Sequence, residues 1–104
     1  MTDATPADTP ADTPAVRHEP QSHRFVADTP DGQAELAYVH AGPDVLDLQH
    51  TYVPEAARGD GVGEALVRAA FAHARREGQH VIPSCPFVHA WLEAHPEERD
   101  IRVR

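Results

Sequence analysis

The sequence predicts an α/β fold of the mixed-sheet, α+β kind in βββαβα order, and three observations carry that expectation. Residues 23 to 53 alternate apolar and polar side chains in runs separated by turn residues. From Val62 the apolar period lengthens to that of a helix with one buried face. A short apolar strand, Val81-Ile82, follows before a second helix, and strand, helix, strand in that order implies a right-handed parallel crossover.

His23 to Thr29 reads as the first strand, closed by Thr29-Pro30-Asp31-Gly32, where Pro, Asp and Gly stand where a tight turn wants them. Gln33 to His40 returns with Ala34, Leu36 and Tyr38 on one face, making a hairpin. After Ala41-Gly42-Pro43-Asp44, Val45 to Val53 forms the third strand, whose alternation groups Leu46, Leu48, His50 and Tyr52. A Gly-rich entry, Arg58 to Gly63, then leads into a helix over Glu64 to Glu77. Its wheel gathers Val62, Leu66, Val67, Ala70, Phe71 and Ala74 on one half and Glu64, Arg68 and Arg75 on the other. Pro86 opens the second helix, Phe87 to His95, with Phe87, Val88, Trp91 and Leu92 on a shared face, and Pro96 ends it.

Before these elements, residues 4 to 14 read ATPADTPADTP, and after Met1 no large apolar side chain precedes Val16. So little to bury cannot offset the entropy of ordering the chain, so residues 1–20 are expected to be a disordered Pro-rich tail and residues 21–104 a single domain. A Pro-rich docking peptide fits less well, because the spacing is PxxxP rather than PxxP.

Composition excludes several functions. The 9 basic residues, all Arg, face 17 acidic ones for a net charge of -8, so no broad cationic surface is available for nucleic acid or an anionic membrane. The longest apolar run, Ala69 to Ala72, is far short of the roughly 20 residues of a membrane span. MTDATPADTP has neither the basic nor the apolar region of a secretory signal, and the single Cys85 leaves no internal disulfide, so a reducing cytoplasm is expected. A domain this small buries only about 60% of its unfolded surface, which suits a monomer or a weak dimer.

The Gly-rich entry is the strongest chemical signal. Gly59, Gly61 and Gly63 allow a tight turn and leave N–H groups of the first helical turn open to phosphate oxygens at the positive end of the helix dipole. No Lys-Ser or Lys-Thr follows as in a P-loop, and Leu66 stands where a dinucleotide fingerprint has its third Gly. A plain strand-to-helix loop with no ligand accounts for the same spacing. Cys85 sits just before Pro86, at or beside the N-cap, where a helix N-terminus favours the thiolate; an inert buried thiol is the other reading. The His residues show no HExxH and no Cys partner at zinc spacing, so no metal is expected. Tyr38, Tyr52 and Trp91 read as core.

Arg58-Gly59-Asp60-Gly61-Val62-Gly63 resembles the R/Q-x-x-G-x-G/A pyrophosphate loop of the GNAT acyl-CoA-dependent N-acetyltransferases. Three ordered segments are similar to the small Yjdj-type branch of that superfamily, over about residues 21 to 99: His50-Thr51-Tyr52-Val53-Pro54 with the loop, Pro83-Ser84-Cys85-Pro86-Phe87-Val88, and His95-Pro96-Glu97. The resemblance implies a reduced GNAT fold, in which the third strand and the strand at Val81 splay apart to admit the pantetheine arm of acetyl-CoA as co-substrate. The pyrophosphate would rest on Arg58, Gly59, Asp60, Gly61, Val62 and Gly63, with Thr51, Tyr52 and Val53 also binding the cofactor, and strand N–H groups near Tyr52 and Val53 would stabilise an oxyanion.

The implied activity is acetyl transfer to an amine, with Cys85 as general acid or acyl acceptor. His50 is either a core residue or, if a bulge near the end of its strand aims His50 or Thr51 into the cleft, the base. The chain has no Tyr just after the strand at Val81, where many larger GNAT enzymes keep their acid. The competing function is an acyl-CoA-binding or sensing module without efficient turnover; a bare interaction domain is a third. The acceptor, a protein Lys, an N-terminus or a small amine, is not specified, and the acidic charge mildly favours a cationic one.

Overall fold

A computed structural model describes residues 15–103. Most of the expected tail, residues 1–14 with the ADTP repeat, lies outside the described residues. The strands are β1 (Arg17–Glu19), β2 (Arg24–Thr29), β3 (Gly32–Gly42), β4 (Val45–Tyr52) and β5 (His80–Ile82); the helices are α1 (Val62–Arg76) and α2 (Pro86–Ala94). They build one five-stranded sheet in the order β1-β2-β3-β4-β5, antiparallel except for the parallel β4–β5 pair.

The mixed sheet, its hairpins and the crossover helix stand as the sequence predicts, with one strand more. β1 pairs with β2 through Arg17↔Val26, His18↔Phe25 and Glu19↔Arg24, so ordered structure begins inside the stretch assigned to the tail. Its stabilisation comes from distant residues, as His18 stacks on Phe25 with ring centroids 4.3 Å apart. A composition argument counts only what a segment carries itself, and so misses a side chain buried by its neighbours.

Turn chemistry fixes the first hairpin: the Asp31 N–H donates to Thr29 Oγ1 at 3.1 Å and the same hydroxyl donates to the Gly32 carbonyl at 2.7 Å. Alternation then places Phe25, Ala27, Ala34, Leu36, Tyr38, Leu46 and Leu48 on one sheet face. Val62, Leu66, Val67, Ala70, Phe71 and Ala74 of α1 and Val88, Trp91 and Leu92 of α2 complete a single core with them. The opposite face carries ion pairs, Arg17 with Asp28 and Arg24 with both Glu19 and Glu35, around the buried Val26. Both helices thus cover one face, leaving β4, β5 and the starts of α1 and α2 meeting at one end of the sheet.

Candidate functional site

β4 and β5 pair only over Val45↔His80, Leu46↔Val81 and Asp47↔Ile82. One further link, from the Cys85 N–H to the Leu48 carbonyl at 2.8 Å, closes the contact. Pairing stops because Pro83 has no N–H to give and the chain turns into α2 at Pro86. β4 runs on from Gln49 to Tyr52 with β3 on one side and no β5 partner on the other. The expected splay of the parallel strands is present in this form.

A bulge lies at the same level. Ala37 pairs with His50 but Tyr38 with Leu48, so Gln49 is an extra residue in β4. Each residue beyond it changes face. Thr51, opposite the buried Leu36, takes the core-facing side, while His50 and Tyr52 turn to the open face and are exposed. The alternation that grouped His50 and Tyr52 with Leu46 and Leu48 is thereby corrected: His50 is not a core histidine, and Tyr52, expected in the core, is 46% exposed. Tyr38 and Trp91 are buried as expected.

Thr51 has a partner there, its Oγ1 lying 3.3 Å from Cys85 Sγ. Cys85 is the N-cap of α2, in the extended conformation that a residue before Pro favours, and its carbonyl accepts the first helical bond from the His89 N–H at 2.9 Å. The thiol does not cap the helix itself; it is 4% exposed and turned toward Thr51. His50 and Cys85 therefore stand on opposite faces of β4 at the level where the strands part.

Beyond β4, a 3-10 turn at Glu55–Ala57 leads to the Gly-rich entry. Gly59 and Gly61 hold φ of 91° and 83°, the left-handed region that side chains with a Cβ resist, and Gly61 is the N-cap of α1. The first α1 bond runs from the Ala65 N–H to the Gly61 carbonyl, so the N–H groups of Val62, Gly63 and Glu64 precede the helical ladder. Arg58 ties the loop to the strand end, its Nε donating to the Val53 carbonyl at 3.0 Å.

A cleft of about 370 Å³ opens over these groups, lined by Val53, Arg58, Gly59, Gly61, Val62 and Gly63 together with Ala57, Glu64 and Phe87. A second hollow of about 220 Å³, lined by Thr51, Tyr52, Val53, Arg58 and Phe87, shares three of those walls. Eight of the nine expected binding residues thus line one hollow or the other; Asp60 is exposed and lines neither. The unused N–H groups and the cleft fit an anionic group such as pyrophosphate. The one acid in the wall, Glu64, gives its charge to Arg68 at 2.8 Å, which holds its carboxyl below the usual range.

Phe87, which its spacing groups with Val88, Trp91 and Leu92, is 45% exposed and walls both hollows. A Cβ at Gly63 would meet its ring at 2.7 Å, so Gly63 serves the approach of the Phe87 ring to α1. Spacing on α2 groups Phe87 with Val88, but only the position of α1 decides which of them stays outside. Among the described residues, no group of three or more His, Cys, Asp or Glu is placed to hold a metal ion.

Residues 24–101 match the family described as GCN5-related N-acetyl-transferase. The chain is 29% identical to Protein NATD1 of Mus musculus over 100 residues, 92% of this chain and 91% of that protein. It is 33% identical to Protein NATD1 of Homo sapiens over 64 residues, 62% of this chain and 57% of the human protein. A GCN5-like protein of Staphylococcus aureus, solved in solution by NMR, superposes with a TM-score of 0.64 over 86% of this chain and 87% of that one; at 22% identity the likeness is one of fold.

Proposed function

The chain belongs to the GCN5-related N-acetyltransferase family, and from that premise we propose that it transfers acetyl from acetyl-CoA to an amine. The reading is supported above all by one observation: β4–β5 pairing ends at Leu48 and Cys85, and the unpaired strand leads directly to a helix N-terminus whose first N–H groups are unused. Loop N–H groups from Gly59 to Gly63 would hold the pyrophosphate, and β4 from Thr51 to Val53 would bind the pantetheine arm as a strand partner would. When bound, acetyl-CoA supplies an activated acyl group. The ordered segments around His50, Arg58, Cys85 and His95 support placement in the small Yjdj-type branch.

His50, exposed on the open face, would take the proton of an ammonium arriving there. Cys85, held by the Thr51 hydroxyl on the other face, would return a proton to the departing thiolate or accept the acyl group itself. The net charge of -8 favours a cationic acceptor.

Calorimetric titration with CoA, followed by CoA release from acetyl-CoA across a panel of amines, tests this reading. Binding with turnover on at least one amine is expected. Binding without turnover on any amine would leave a carrier or sensor, and no binding would remove the pyrophosphate assignment.

A further inference from the structure

β1 is three residues long and lies at the edge of the sheet, so its own ladder gives it little stability. Val16, just before the strand, packs partly buried against the core, and within β1 the side chain that fastens it there is His18. Its ring stacks on Phe25 of β2 at 4.3 Å and 12°, meets His73 of α1 edge-on at 4.3 Å, and places Nε2 2.6 Å from Tyr38 Oη on β3. Three elements thus converge on one half-buried imidazole.

The surroundings disfavour a second positive charge. His73 is itself half-buried and packs edge-on against Phe25 at 5.7 Å. Around the pair stand Arg76 of α1, Glu77 at its C-cap and His40 of β3, while His23, from the turn before β2, stacks on Tyr38 and meets His40 at 5.1 Å. Among the described residues, Glu77 is the acid whose charge acts on both imidazoles, and Arg76 opposes it at both. The charges on β1 itself are engaged elsewhere, Arg17 with Asp28 and Glu19 with Arg24. Two imidazolium rings at 4.3 Å would repel across a half-buried contact.

We propose that the contact between His18 and His73 is a proton-operated latch, which keeps β1 on the sheet while both rings are neutral and releases that strand when they are protonated, the rest of the sheet staying folded. Burial, foremost, pushes both imidazoles below their ordinary value, followed at His18 by the charge on His73. A group lowered on folding binds fewer protons in the folded form. Its stabilisation is therefore complete above the ordinary imidazole value, about 6.5, and is lost as pH falls from there toward the folded value.

Hydrogen exchange followed residue by residue, corrected for intrinsic rates, reads the latch. Between about pH 7.5 and pH 5, amides in the β1–β2 ladder should lose at least about tenfold in protection while those of the β3–β4 ladder keep theirs. His18→Phe keeps the stack on Phe25 without a titrating group and should hold β1 in place at both pH values. Should that variant fail to dock β1 even at neutral pH, His73→Leu, which removes one of the two charges, should shrink the acid loss instead. Equal protection of β1 at both pH values in the wild-type chain would overturn the proposal. So would an acid loss of the same size in both variants, or one shared equally by β3 and β4.

Discussion

Thr51 Oγ1 and Cys85 Sγ lie 3.3 Å apart because a single extra residue in β4 turns Thr51 toward the core, so the chemistry at this end of the sheet can be divided side chain by side chain. If Cys85 handles a proton or an acyl group, Cys85→Ala should lower kcat by about a hundredfold, within the range of general acid catalysis, with little change in the Kd for CoA. Intact mass after mixing with acetyl-CoA alone separates the roles, since an acyl acceptor gains an acetyl mass at Cys85 and a general acid does not. Thr51→Val, nearly the same shape without the hydroxyl, should reproduce part of the kcat loss in the same assay; undiminished turnover in both variants would return Cys85 to an inert thiol. Gly61 requires a different pair of variants, because its φ of 83° makes Gly61→Val strained by about 1–2 kcal/mol whatever it does to a ligand. Gly61→Asn tolerates that backbone, so it should keep most of the melting temperature; CoA titration of both variants then separates loss of fold from loss of binding.

At the scale of elements, the α1–α2 contact rests on Gly63 lying under the Phe87 ring. Gly63→Ala should lower the unfolding free energy in the wild-type background by about 1 kcal/mol or less, as read from denaturant titration, because the ring is half-exposed and can swing, and Phe87→Ala should abolish that loss. Additive losses in the double variant would mean the two residues do not meet. Elements whose cause is local were legible in the sequence. Thr29 to Gly32 carries its own turn chemistry, and the wheel of α1 names the buried Val62, Leu66, Val67, Ala70, Phe71 and Ala74. The Gly-rich entry likewise marks the start of α1, which begins at Val62, two residues before the expected Glu64. Features arising between elements were not legible. The bulge at Gln49 is a mismatch of register between β3 and β4, which no alternation within β4 reveals, and it decides that Thr51 rather than His50 meets Cys85. β1 follows a Pro-rich stretch and depends on Phe25, Tyr38 and His73, each on another element, to bury His18. The sequence located the Gly-rich entry but could not divide its glycines between backbone conformation, at Gly59 and Gly61, and packing, at Gly63.

For the molecule as a whole, two classes of titrating group work at opposite ends of the acid range. Asp28 and Asp100 are held below the usual carboxylate range chiefly by bonds from Arg17 and Arg75, and Glu19 chiefly by its bond from Arg24. Arg75 reaches from α1 to Glu98 and Asp100 at 2.8 and 2.7 Å and so fastens the 3-10 segment Pro96–Ile101 across the helix. Asp28 and Asp100 are exposed and Glu19 partly so, and water and salt screen them, so each contributes little singly. Their folded values lie below their unfolded ones, so what they contribute is complete above about pH 4 and is lost as pH falls through the folded values. His18 and His73 are also lowered, but from an ordinary value near 6.5, so their contribution is lost first. Urea midpoints measured from about pH 8 to pH 2.5 should therefore fall in two stages, a shallow one beginning near pH 6.5 and a steeper one below about pH 4. His18→Phe should remove much of the first stage and leave the second, whereas high salt should flatten the second, where a net charge of -8 at neutral pH gives way to an excess of Arg and His cations. A single transition below pH 4, identical in wild type and His18→Phe, would mean that the histidines carry no share of the stability.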